Sequence, residues 1–214
     1  MNKLQNVMIY FIKNFPQSLG RTKLIKAIYL LDCEWYKIYG STFTGMTYLR
    51  DNNGPFDTAF YDAKDYLLIQ GIIEEIPYSF AGGHGFEFHI GKNFPEEIEL
   101  DGFVRYLADD IINDLGNSDL NGFLAKAYST EPMIAVQNKE KQEGKKCYGE
   151  VLDMSKLKDS PKPLFSLGQI KEVAKNLDLS SRGSDEEYAS VVNKEIEELR
   201  LFRERVAESW KLIQ

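Results

Sequence analysis

The chain is poor in the residues that carry most enzyme chemistry. It has two histidines, His84 and His89, and two cysteines, Cys33 and Cys147. Two cysteines make no disulfide framework and fit no zinc spacing, which agrees with a reducing cytoplasm. Cys33 falls on an apolar helix face, where a thiol is inert. Both histidines lie at or beside the glycine-rich stretch Ala81-Gly82-Gly83-His84-Gly85. A metal or catalytic role would require orienting partners within hydrogen-bond reach, and a spacing of five along a strand sends the two side chains to opposite faces. G-x-S-x-G, Walker A, G-x-G-x-x-G and H-E-x-x-H are all missing. The glycine-rich stretch joins two strands rather than a strand and a helix, so it lacks the setting of a phosphate cradle. Asp109, Asp110 and Asp114 read as a solvated helix face. No apolar run reaches the roughly 20 residues of a membrane helix, and the apolar positions near the start follow a helical stripe with no cleavage site behind them. These absences point to a protein that is not an enzyme, needs no cofactor or metal and uses no membrane.

What is present is a foldable chain with an uneven charge. Of 214 residues, 43% are hydrophobic and 28% charged, and 13% are aromatic, which suits a packed core rather than disorder. The net charge of −7 is concentrated in the middle. Residues 1–40 carry six Lys/Arg against two acids, residues 41–120 four against fifteen, and residues 121–214 sixteen against sixteen. An acidic middle repels a phosphate backbone and attracts a basic partner, or simply solvates a face.

The pattern predicts a first helix over 3–14, stopped by Pro16. A second follows over 22–39 and ends at Gly40. Apolar residues on several sides of it suggest a central, buried element. A strand is expected over 44–50, then the turn Asp51-Asn52-Asn53-Gly54-Pro55, with a third helix starting near Pro55 and running to Gly71. Strands over 72–77 and 86–90 pair across the glycine loop. Helices follow over 95–115 and 119–128, the latter closed by Ser129-Thr130-Glu131-Pro132. Residues 138–163 are polar and lysine-rich and read as a connection, with one strand over 147–152. Capping boxes at Ser166 and Ser184 open helices over 167–177 and 185–213. In the last one Val192, Leu199, Val206 and Ile213 repeat every seven residues, a seam for packing on its own domain or for dimerising. The expected class is α+β, mostly α: a helical domain with a small antiparallel sheet or β-hairpin, winged-helix-like in element order, and a C-terminal helical extension. The domains are 1–138, a connection over 139–165, and 166–214.

That element order raises nucleic-acid binding. A winged helix sets its third helix in the major groove. Here that helix offers Asp57, Asp62 and Asp65 against Lys64, the wrong sign for phosphates. The winged-helix-like binder or autorepressor is therefore the alternative, not the leading reading.

Lys23-Leu24-Ile25-Lys26-Ala27-Ile28-Tyr29 resembles the K-L-x-K-x-x-Y opening of the Panacea, or SocA-like antitoxin, domain family. Asn53-Gly54-Pro55-Phe56, with Tyr61 beyond it, resembles the family's G-P-V…Y segment, with Phe56 in the place of Val. The stretch 67–73 is similar to its following leucine-rich helix end and Ile-Ile strand start. Ser129-Thr130-Glu131-Pro132-Met133 resembles its S-H-x-x-P-W segment, with Thr130 where His is usual and Met133 where Trp is usual. The resemblance covers about 1–138. It implies a non-enzymatic binding protein that neutralises a toxin encoded nearby by direct contact, and, as in the founding member, an adaptor to a AAA+ protease, in a bacterial, phage or prophage setting. Partner-binding candidates are Lys26, Tyr29, Arg50, Asn53, Gly54, Pro55, Phe56 and Tyr61. Tyr29, Trp35, Tyr36 and Tyr39 on the second helix add aromatic residues of the kind that anchor interfaces.

Overall fold

A computed structural model describes residues 1–80, 83–157 and a few isolated positions beyond. The chain divides into two compact units, 1–163 and 164–214. The helices expected over 167–177 and 185–213, with the heptad seam, lie outside the described residues. The first unit is α+β, with six α-helices and a small antiparallel sheet among its described residues.

Helix α1 (Lys3–Asn14) begins in a capping box: Asn2 Oδ1 accepts from the Gln5 N–H, and Gln5 Oε1 accepts from the Asn2 N–H, each at 2.8 Å. Such a box satisfies two orphan donors at once. The helix ends before Pro16, and Leu4, Val7, Met8 and Phe11 point into the core. A two-residue strand, β1 (Leu19–Gly20), leads into α2 (Arg21–Tyr39), which stops at Gly40 with φ 69°. Every residue from Leu24 to Cys33 is buried, so α2 is the central helix that its all-round apolar pattern suggests. Asp32, fully buried, ties the next loop to it by accepting from the Thr44 N–H at 3.0 Å, the Tyr48 hydroxyl at 2.7 Å and the Thr44 hydroxyl. Burial pushes the Asp32 carboxyl above its ordinary pKa.

Strands β2 (Leu49–Asp51) and β3 (Gly54–Phe56) then form a small hairpin, with Arg50 opposite Pro55. Two expectations are corrected here. The strand expected over 44–50 is the three-residue β2, Leu49–Asp51. Pro55 sits in β3, not in the first turn of a helix, because a strand at the edge of a two-stranded sheet tolerates a residue without an N–H. Helix α3 (Ala59–Ile69) starts four residues later, where Asp57 Oδ1 accepts from the Ala59 N–H at 2.9 Å. Strand β4 (Ile73–Phe80) pairs with β5 (Gly83–Ile90), and β5 pairs with β1, giving the order β1-β5-β4. The hairpin is longer than the sequence pattern indicates.

Helix α4 (Gly102–Leu115) begins seven residues after the expected start, capped by Asp101. Helix α5 (Leu120–Tyr128) is capped by Asp119. A sixth helix, α6 (Glu131–Glu143), stands where a turn and a polar connection were expected. Pro132 lies in its first turn, where proline is favoured, and the expected domain boundary at 138 falls inside this helix. Beyond it the chain returns to the core. Leu152 N–H donates to the Tyr48 carbonyl and Arg50 N–H to the Glu150 carbonyl, each at 2.8 Å. The strand expected over 147–152 is thus one bridge, Leu49 to Val151, rather than a full ladder. Cys147, Leu152, Met154 and Leu157 are buried, so residues to 157 belong to the first unit's core rather than to a solvated connection.

Candidate functional site

Three of the four quoted sequence segments, 23–29, 53–56 and 129–133, meet where the β2–β3 hairpin leans against α2; the fourth, 67–73, lies at the end of α3 and the start of β4. Lys26, in the second turn of α2, is 2% exposed and donates from Nζ to the Pro55 carbonyl at 2.7 Å. Burial pushes its amine down to about 7; the Asp51 carboxylate works against that and the Arg50 guanidinium adds to it. One turn on, the Tyr29 hydroxyl lies 2.7 Å from Thr130 Oγ1. Thr130 Oγ1 already donates to the Ala127 carbonyl at 2.8 Å, so Tyr29 is the donor of the pair. The Tyr29 ring meets Tyr48 edge-on, 4.9 Å between centroids. Such contacts add about 0.5–1.5 kcal/mol beyond burial.

Arg50 of β2 is also inside. Its Nε donates to Glu140 Oε1 at 3.0 Å, and Nη1 donates to the Tyr128 hydroxyl at 3.1 Å and to the Asp51 carbonyl. The guanidinium lies 5.4 Å from the Tyr128 ring and 5.5 Å from the Tyr148 ring. Burial alone would raise the Glu140 carboxyl. Hydrogen bonds from Lys146, Arg50 and the Cys147 N–H outweigh it and hold the carboxyl below its ordinary range. Gly54 has φ 88°, and a Cβ there would stand 2.9 Å from Tyr128 Cε2. Only glycine allows both the backbone turn and the ring against it.

Of the eight candidate residues, Lys26, Tyr29, Arg50, Gly54 and Pro55 are buried, and in this structure they support the hairpin. Asn53 is exposed, Phe56 half-buried and Tyr61 37% exposed. Phe56 and Tyr61 have ring centroids 5.4 Å apart, and Arg21 Nη1 donates to the Tyr61 hydroxyl at 3.0 Å. Together with Thr22 and Asp51 they rim a shallow cavity of about 130 Å³ whose floor includes Lys26. A wider groove of about 570 Å³ opens on the other side of Arg21 and Tyr61, under the β4–β5 hairpin.

Sequence reasoning missed Arg21, Tyr128, Glu140 and Tyr148. Glu140 sits in a lysine-rich run that carries no sign of burial. The two histidines do not meet: His84 pairs with Ser79 Oγ at 3.0 Å, while His89 Nε2 lies 3.8 Å from Glu87. No cluster of three metal-ligating side chains occurs among the described residues. Among them, too, no helix is long and apolar enough to cross a membrane. Compared with known proteins, the chain matches no family model, no curated protein and no solved structure.

Proposed function

We propose that the chain is a non-enzymatic protein-binding module of the SocA-like antitoxin class, neutralising a toxin encoded beside it by direct contact. One observation carries this reading: three sequence segments that resemble the family meet at a single buried junction, through Lys26–Pro55 and Tyr29–Thr130. The junction fixes the β2–β3 hairpin before any partner arrives. A preformed rim of Asn53, Phe56, Tyr61 and Arg21 spends little free energy on ordering when it binds, and aromatic and arginine side chains are the usual anchors of such contacts.

The test is co-expression with the neighbouring reading frame. The chain should restore growth against a toxic neighbour and be captured with it. The double variant Asn53→Ala/Tyr61→Ala should weaken capture by at least about tenfold, as for an anchor residue, while the chain still unfolds cooperatively well above the assay temperature. A neighbour that is neither toxic nor captured would refute the reading. The adaptor role would appear as faster ATP-dependent loss of the toxin when the chain is present.

A second reading, a winged-helix-like nucleic-acid binder or autorepressor, draws on the succession α1-β1-α2-β2-β3-α3-β4-β5, with the β2–β3 hairpin inserted between α2 and α3, and the sheet order β1-β5-β4. Its difficulty is charge. Asp62 and Asp65 of α3 are exposed, and Lys64 lies 3.1 Å from Asp65 and 3.3 Å from Glu75. A mobility shift on the chain's own promoter that collapses with salt would favour this reading over the first.

A further inference from the structure

A second surface lies at the far end of α2, about 27 Å along the helix from Arg21 at 1.5 Å per residue. There four aromatic rings form a continuous ladder. Trp35 and Tyr39 stack with centroids 4.0 Å apart at 26°. Phe103 of α4 lies 6.1 Å from Trp35 and 6.3 Å from Tyr39. Tyr106 stacks on Phe103 at 6.2 Å and 19°. Tyr39 is 51% exposed and Tyr106 56% exposed. Large rings held in place at the surface have the composition of an interface core rather than of a solvated face.

Carboxylates flank the ladder along α4. Residues 95–119 hold eight acids and one arginine, although Asp109 accepts from the Tyr10 hydroxyl at 2.7 Å and Asp114 pairs with Lys126 at 2.8 Å further along the helix. That arginine, Arg105, donates to the Ile98 carbonyl at 2.7 Å and the Leu100 carbonyl at 3.1 Å, so its head is committed to the backbone. Asp101 caps α4 immediately before Phe103, and Asp110 follows Tyr106 by four residues on the same stripe of the helix. The cations nearby are engaged too. Lys3 Nζ stands 4.9 Å over the ring of Phe43, which itself meets Trp35 edge-on, and Lys37 pairs with Glu34 at 2.8 Å.

We propose that this aromatic ladder and the carboxylates beside it are the docking surface for an arginine-rich segment of a protein partner. The proposal rests on the protein-binding reading and gives that partner a chemistry. A guanidinium is planar, lies flat on aromatic faces and forks onto carboxylates; an ammonium does only part of this. Lys3 over Phe43 shows that a ring joined to the ladder already accepts a cation. The same carboxylates repel phosphate, which excludes nucleic acid and anionic lipid as occupants.

The probe is a labelled twelve-residue peptide with four arginines among glycine and serine, read by fluorescence anisotropy on the full chain. Peptides with lysine or glutamate in place of arginine are its controls. The arginine peptide should bind more tightly than the lysine one, and the glutamate peptide not at all. Tyr39→Ala/Tyr106→Ala should weaken binding by at least about tenfold, while Tyr39→Phe/Tyr106→Phe, which keeps the rings, should restore it. Asp110→Asn should weaken binding and flatten its salt dependence. Equal binding of the arginine and lysine peptides, or wild-type affinity in the alanine variant, would overturn the proposal in favour of unspecific attraction to an acidic surface. Growth rescue separates the two levels. Full rescue by the alanine variant removes this surface and leaves the protein-binding reading standing. No rescue by the wild-type chain removes that reading and this proposal together.

Discussion

Lys26 gives the sharpest test of the structure, because a buried amine ties stability to pH with a defined sign. Its amine falls from an ordinary 10.5 to about 7, chiefly through burial. The gap between those values corresponds to about 5 kcal/mol for carrying the charge inside. Between about pH 7 and pH 10.5 the unfolded chain holds this proton and the folded chain does not. Stability contributed by this site must therefore rise with pH across that window. The full penalty applies below pH 7, and none is left above 10.5. From pH 7 to pH 9 the gain is about 2 kcal/mol. Lys26→Met removes the titrating group, keeps an unbranched side chain and leaves the Pro55 carbonyl unpaired, at a cost of about 1–3 kcal/mol. Urea unfolding of both proteins at several pH values cancels every other titration. The wild-type curve should climb relative to the variant by about 2 kcal/mol over that interval, at constant denaturant slope. Parallel curves, or a wild-type curve that falls relative to the variant as pH rises, would mean that Lys26 is solvated and that the hairpin does not rest on it.

Two further outcomes follow from the same junction. Glu140→Ala leaves Arg50 buried without its carboxylate and should cost about 3 kcal/mol, whereas Arg50→Met/Glu140→Met, which removes both charges, should cost less than the single change; denaturant melts measure both. Gly54→Ala forces φ 88° on a residue with a Cβ and drives that Cβ into Tyr128. It should lose about 2 kcal/mol and alter the near-ultraviolet tyrosine signal as the ring leaves Arg50.

The parts of this fold that were legible in the sequence are those with local punctuation. Pro16 stops α1 and Gly40 ends α2, both read from the sequence, and the α5 bounds 119–128 lie within one residue of the observed helix. The parts that were not legible depend on what arrives from elsewhere. Pro55 is a plausible helix opener until Arg50 pairs opposite it. Helix α6 has little apolar periodicity: Pro132, Met133, Val136 and Glu140 are its buried residues, and an acid in that set hides the stripe. Lys26 did leave a trace. It follows Leu24 and Ile25 and precedes Ala27 and Ile28 in a run of apolar residues, although Lys23 and Lys37 on the same helix are only half-buried. The acceptor, a proline carbonyl 29 positions away, had no such signal.

Charge burial also changes what the surface presents. The formal count for residues 41–120 is four cations against fifteen acids. Arg50 is enclosed by Glu140, Tyr128 and Tyr148. Arg105 is turned onto backbone carbonyls, and Lys64 is held between Asp65 and Glu75. Of the four cations only Arg50 is withdrawn from the surface, and the other three are far too few to balance fifteen acids, so the field there stays strongly negative. Attraction of that kind acts within about 8 Å at physiological salt and speeds encounter more than it tightens a finished complex. It cannot by itself choose among basic proteins. Selection needs shape, and the ladder of Trp35, Tyr39, Phe103 and Tyr106 is where this acidic ground has rigid relief. An acidic field that gathers cations and a row of rings that favours planar ones divide the work between rate and specificity.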